Sequence, residues 1–154
     1  MKRLFPFVLA ASICALTACQ GPSVTQIKPG VYKIVCTDSG GMSSTDADAK
    51  ALRKEAIAEG SVFAGSQGKI AVPIFAAEQH FVEASITTAE GQPGLNDQAN
   101  GASWVAFNYF FGVVDKNDPK ARIPMMLVRE VAQNRPDSAN LGGYTVFYNA
   151  QPVQ

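Results

Sequence analysis

The chain has 154 residues, is 47% apolar, and carries 13 Lys and Arg against 13 Asp and Glu, a formal net charge of zero. That length suits one domain with a modest hydrophobic core, and the lack of a basic excess excludes the electrostatic footprint on which nucleic-acid binding rests. Three cysteines, Cys14, Cys19 and Cys36, are too few for a scaffold stapled by several disulfides.

The first element is cationic Met1-Lys2-Arg3, then apolar Leu4 to Leu16 interrupted by Pro6 and Ser12, then the small pair Thr17-Ala18. This is the order of a secretory signal. The apolar run falls well below the roughly 20 residues that cross the hydrocarbon core as a permanent helix, so cleavage is expected. An ordinary site of the A-x-A kind within "ALTA" would cut before Cys19. The stretch Leu16-Thr17-Ala18-Cys19 also resembles the lipobox of bacterial lipoproteins, a resemblance confined to about the first nineteen residues.

That resemblance implies transfer of a diacylglyceryl group to the Cys19 sulfur, cleavage before Cys19 by the lipoprotein signal peptidase, and acylation of the new amine, with fatty acids such as palmitate. A thiol suits the first step because a thiolate is a strong nucleophile. Cys14 is a weaker candidate, because bulky Ile13 precedes it and its apolar core would shrink to about ten residues. Two or three acyl chains, at about 0.8 kcal/mol per buried CH₂, hold a protein at a bilayer without spanning it. Gln20 stands where enteric lipoproteins retained at the inner membrane carry Asp, so the resemblance implies the bacterial outer membrane.

On this reading residues 1–18 are a signal peptide, 19–30 a lipidated tether and 31–150 one globular domain. Loss of Lys2 and Arg3 leaves 11 basic and 13 acidic residues, a net charge of −2. Acylation of Cys19 leaves Cys36 as the one thiol, so no internal disulfide can form and the core must supply stability.

The tether, "QGPSVTQIKPG", has two prolines, Pro22 and Pro29, two glycines, Gly21 and Gly30, and little apolar periodicity. In "VYKIVCT", Tyr32, Ile34 and Cys36 alternate with Lys33, Val35 and Thr37, which predicts a strand with the first set inward. After Gly40-Gly41, Ser43, Ser44 or Thr45 can cap a helix whose Ala49, Leu52, Ala56, Gly60 and Phe63 form one face. Lys50, Lys54, Glu55 and Glu59 form the other, and Gly65 or Gly68 can end it.

Two extended segments follow, Ile70 to Ala76 and Phe81 to Ala89, with Val82, Ala84 and Ile86 inward. Pro73 argues that the first is an edge strand or ends early. Residues 91–101 read as a loop. Beyond them come "ASWVAFNYFFGVV", the turn "DKNDP", the segment 122–133, which suits a strand or a short helix, a loop around Pro136, and a final strand "YTVFYN". The order is β-α-β-β followed by a less regular, mostly extended part. It predicts a two-layer α+β domain with the one main helix packed on an antiparallel sheet.

Candidate chemistry is sparse. Cys36 and the single histidine, His80, are a conceivable nucleophile and base for an envelope hydrolase or thiol enzyme, but no third orienting group accompanies them, and an inward-facing cysteine on a strand is ordinarily inert packing. Structural zinc needs four His or Cys ligands, which the domain lacks, and "TDADAK" and "DKNDP" miss the calcium-loop pattern. "SGGMSS" lacks the Lys-Ser/Thr ending of a phosphate loop, and Asp46 and Asp48 oppose an anion there. No metal or cofactor site is therefore expected.

Trp104 to Phe111 concentrates the one tryptophan and three of nine phenylalanines in a thirteen-residue apolar segment too short to span a bilayer. As a strand it places Val105, Phe107, Tyr109 and Phe111 toward the helix and Trp104, Ala106, Asn108 and Phe110 on the far side. Trp104 and Phe110 are then a core surface or a surface for a partner or membrane. The functional expectation is a membrane-anchored envelope lipoprotein, not an enzyme, that binds or scaffolds within an envelope assembly.

Overall fold

The computed structural model describes residues 23–38, 46–83, 103–134 and 141–154. Cys14, Cys19 and the rest of the signal, the capping residues 43–45, Ala84 and Ile86, and the loops 91–101 and around Pro136 lie outside them. Six strands form one sheet: β1 (Val24–Lys28), β2 (Val31–Asp38), β3 (Ile70–Glu83), β4 (Ser103–Val114), β5 (Met125–Asn134) and β6 (Leu141–Pro152). Their order is β1-β2-β4-β3-β6-β5, and every neighbouring pair is antiparallel. One helix, α1 (Asp46–Ser66), links β2 to β3 and packs on β2, β4 and β3. The fold is α+β, one helix on a six-stranded antiparallel sheet, as the sequence pattern predicts.

α1 buries Ala49, Leu52, Ala56, Gly60 and Ala64, a face spaced by three and four residues. Its small side chains let the helix axis come close to the sheet. A Cβ added at Gly60 would stand 3.0 Å from Tyr109 Cε1 and 3.4 Å from Phe111 Cε1. The helix ends in a Schellman arrangement in which Lys69 N donates to Ala64 O, Gly68 N donates to Gly65 O, and Gly68 takes φ +69°. Gly68 is thus the terminator, and Gly65 belongs to the last helical turn.

Beneath α1 the central strand β4 contributes Val105, Phe107, Tyr109 and Phe111, all at most 1% exposed. Ile34 and Cys36 of β2, Ala76 of β3 and Val146 and Tyr148 of β6 join them. Tyr32 of β2 lies 4.8 Å from Phe63 of α1, ring against ring across the layers, and Tyr109 lies 5.3 Å from Phe111 along β4, centroid to centroid. Trp104 and Phe110 fall on the opposite face. There Trp104 stacks on Phe81 at 5.1 Å, and Phe75 lies 5.7 Å from both Phe110 and Phe147.

Four sequence expectations change in detail. Residues 24–28 of the expected tether form edge strand β1, joined to β2 by a turn in which Gly30 has φ +74°. The two segments flanking residues 77–80 are one strand, β3, because Ala77 to His80 pair with both β4 and β6. Pro73 therefore stands in an interior strand, but β6 pairs with β3 only from Phe75 onward, so Pro73 has a neighbour on one side alone. Residues Met125–Asn134 are strand β5, Pro124 precedes it, and the short 3-10 helix Pro119–Arg122 is capped by the Asp118 carboxylate accepting from Lys120 N at 2.8 Å.

Phe107→Ala removes a fully buried ring at the centre of this core, and denaturation should show a loss of about 3–5 kcal/mol. Val62→Ala, on the 67%-exposed outer side of α1, should change stability by less than about 0.5 kcal/mol.

Candidate binding cleft

A single helix cannot cover six strands, and on its own side of the sheet α1 stops short of β6 and β5. The step between helix and uncovered strands is a hollow of about 220 Å³ lined by Ala49 and Arg53 of α1, Glu78 of β3, Leu127 and Arg129 of β5, and Tyr144 and Tyr148 of β6. The register explains the convergence. Glu78 pairs with Val146, Ala76 with Tyr148, and Arg129 with Tyr148, so all face the helix side of adjacent strands.

Glu78 is 5% exposed and heavily engaged. His80 Nε2 donates to its Oε1 at 2.7 Å, Tyr148 OH donates to its Oε2 at 3.1 Å, and Arg53 Nη2 stands 3.9 Å from the same oxygen. Arg53 also lies over the Tyr148 ring, 5.0 Å from its centroid, and His80 stacks on Tyr144 at 4.3 Å. Burial, with the neighbouring Glu78 carboxylate, pushes the Tyr148 phenol above its ordinary pKa, so it stays a proton donor at neutral pH. A buried carboxylate is tolerated only with such partners.

Positive charge exceeds negative in the hollow. Arg53 and Arg129 face one carboxylate, Arg53 Nε is buried with no acceptor, and among the described residues Arg129 has no ion pair within salt-bridge distance. Guanidinium forks of this kind take planar or tetrahedral oxyanions by paired N–H donors. The cleft is thus chemically suited to an anionic group, and the stack of Tyr148 beneath Arg53 fixes one fork in advance.

Of the residues singled out in the sequence, His80 enters this network through Glu78. Cys36 does not: β4 lies between β2 and β3, which separates the Cys36 and His80 strands by two inter-strand spacings, about 10 Å. The Cys36 thiol is 4% exposed, and burial, reinforced by Glu55 and Glu59, pushes its pKa up to about 11. The sequence pattern alone does not single out Glu78, Arg53, Arg129 or Tyr148. The available signals were a lone Glu two residues from the lone His inside an apolar run, which puts both on one strand face, and Arg53 at i+4 from Ala49 and i−3 from Ala56 on the inner helix face.

A second, mostly apolar hollow of about 360 Å³ opens where β6 leaves β3, between Val72, Pro73, Ile74, Ile123 and Met125, with Lys120 at its rim. Among the described residues no helix is long and apolar enough to cross a membrane. Comparison of the chain with protein-family models, with curated proteins and with solved structures finds no match.

The Cys36 environment has a pH signature. Burial raises the folded-state pKa of the thiol from 9.0 to about 11, so the unfolded chain loses this proton first. Stability owed to the neutral thiol is complete below pH 9 and is lost as pH rises through 11. Denaturant titrations at increasing pH should show that decline, and Cys36→Ala should flatten the part of it contributed by the thiol. Alkylating reagent at neutral pH should modify Cys36 only as fast as the protein unfolds.

Proposed function

We propose that the protein is a lipid-anchored binding module of the bacterial envelope, most simply of the outer membrane, and that the cleft at Arg53 and Arg129 is its recognition site for an anionic group. One observation carries the binding reading: two guanidinium groups converge on a concave polar hollow holding one carboxylate, and one of them is held by Glu78 and the Tyr148 ring. The N-terminal order of basic start, apolar run and Leu16-Thr17-Ala18-Cys19 supports the anchor.

A carboxylate or a phosphate group satisfies the same donors. The hollow's volume, about 220 Å³, lies below the ~300–1,000 Å³ usual for drug-sized ligands, which favours a small anion or one acidic group of a larger partner. His80 acts in this scheme as a positioning residue. It holds one oxygen of Glu78 while Tyr148 holds the other, so the carboxylate keeps a fixed place beside Arg53.

Calorimetric titration of the detergent-extracted full chain with inorganic phosphate and, separately, with acetate or a short Asp/Glu peptide distinguishes the two oxyanions. Saturable, salt-sensitive binding is expected for at least one. Arg129→Ala, at an exposed position, should weaken it about tenfold or more without changing the melting temperature. Binding that is indifferent to both Arg129→Ala and Arg53→Ala defeats the assignment of the cleft. The anchor is checked independently: labelled palmitate should enter the wild-type protein and be absent from Cys19→Ala.

A further inference from the structure

The sheet face opposite α1 carries Phe75, Phe81, Trp104, Phe110 and Phe147, partly exposed and arranged as two ring clusters. Between the clusters Ala77, Ala106 and Thr145 are 6–8% exposed, and Asn108 Nδ2 donates to Gln79 Oε1 at 3.4 Å. One transverse row of this face has polarity. Lys33 pairs with Phe110, Phe110 with Phe75, Phe75 with Asn149, and Asn149 with Val128.

On the β2 side Lys33 stands between Phe110 and Thr25 of β1, its ammonium 5.6 Å from the Phe110 ring centroid and, among the described residues, without an ion pair. At the other end a bulge between Arg129 and Ala132 brings Glu130 to the same face, where its Oε1 accepts from Asn149 Nδ2. A cation and an anion thus flank the pair Phe110 and Phe75: Lys33 stands beside Phe110, and the Glu130 carboxylate, reaching in from the neighbouring row, rests on the Asn149 amide beside Phe75.

We propose that this face is the interface of a two-fold dimer of the chain, in which Lys33 of each copy meets Glu130 of the other. The symmetry follows from the row. A two-fold axis parallel to the strands, running between β4 and β3, reverses the row onto itself. Lys33 then lies over the partner's Asn149, beside the Glu130 carboxylate that this amide holds, and Phe110 lies over the partner's Phe75.

The same operation sets Trp104 over the partner's Phe81, ring cluster on ring cluster, and Val35 over the partner's Phe147, small against large. An axis across the strands would instead set Lys33 on Lys33, a like-charge contact that disfavours it. Two aromatic sheet faces about 10 Å apart, inclined by about 30°, form an ordinary aligned packing. The dimer is a four-layer sandwich with both helices, and both arginine clefts, outside. It stands independently of the anion reading, since the cleft lies on the other side of the sheet.

Sedimentation of the full chain in excess detergent micelles, with the emission of Trp104 followed on dilution, tests the arrangement. Wild type should be dimeric at micromolar concentration with blue-shifted Trp104. Lys33→Glu and Glu130→Lys, both away from the core, should each raise the dissociation constant at least about tenfold by creating two like-charge contacts. Circular dichroism should show both variants folded.

Mixing the two variants should restore the dimer as a heterodimer, because each of its contacts again pairs Glu with Lys, and the double variant should restore it as a homodimer. Shared micelles or unspecific adhesion of apolar faces would not follow that pattern. A monomeric wild type overturns the proposal, as does a mixture of the two variants no more associated than either alone. A Trp104 emission shift that appears only on adding phosphatidylethanolamine and phosphatidylglycerol vesicles overturns it in favour of a lipid surface.

Discussion

Everything distinctive in this molecule follows from a mismatch of width. Six strands at about 4.8 Å spacing make a sheet more than 20 Å wide, whereas one α-helix with side chains is about 10–12 Å across. α1 therefore packs mainly on the three strands β2, β4 and β3, and on its own side the sheet opens beyond the buried Val146 and Tyr148 of β6, at half-buried Tyr144 and exposed Arg129. On the far side none of the described elements covers the sheet at all. The hydrophobic effect acts on the covered strip, where β4 supplies the large rings and α1 supplies Ala and Gly to receive them. The polar cleft and the aromatic face are what lies outside that strip.

The boundary of the strip is where polar chemistry becomes possible. Glu78 stands on the last strand beneath the helix, so it is dehydrated by α1 yet open to donors from β6. Its partners come from three directions: Arg53 from the helix, His80 from its own strand and Tyr148 from the neighbour. Removing one partner would leave a buried charge undercompensated, which is far costlier than the pair is favourable. The network consequently fixes the lateral position of α1 on the sheet as well as the shape of the cleft.

What could be read in the sequence divides along the same line. Residues whose burial repeats with the period of their own element were legible: the Ala49, Leu52, Ala56, Gly60 face of α1, and the alternation that sends Val105, Phe107, Tyr109 and Phe111 inward and leaves Trp104 and Phe110 on the far side. Features that depend on pairing were not. Tyr148 and Glu78 are 70 residues apart, and only the β3–β6 register brings them together. β1 gave little signal because, as an edge strand, it has only Val24 partly buried and the other four residues exposed. β3 read as two segments because Glu78, Gln79 and His80 interrupt its apolar run, and the reason for that interruption is the polar network itself.

The two uncovered surfaces differ in a way that bears on what each can do. On the helix side, β6 and β5 present Tyr144, Tyr148 and Arg129, groups that prefer to keep water or an ion within reach. On the far side, the same two strands present Phe147, Val128 and Asn149, and the adjoining β3 and β4 add Phe75, Phe81, Trp104 and Phe110. Alternation along β6 alone, Tyr144, Val146 and Tyr148 on one face and Thr145, Phe147 and Asn149 on the other, separates a face that lines the core and the polar cleft from a ring-lined one. A one-residue slip of β6 against β3 would exchange the two sets and destroy both surfaces. At one end of this pairing the backbone of Gly143 comes so close to His80 O that an added Cβ would collide with it, so a side chain at this position would force β6 and β3 apart there.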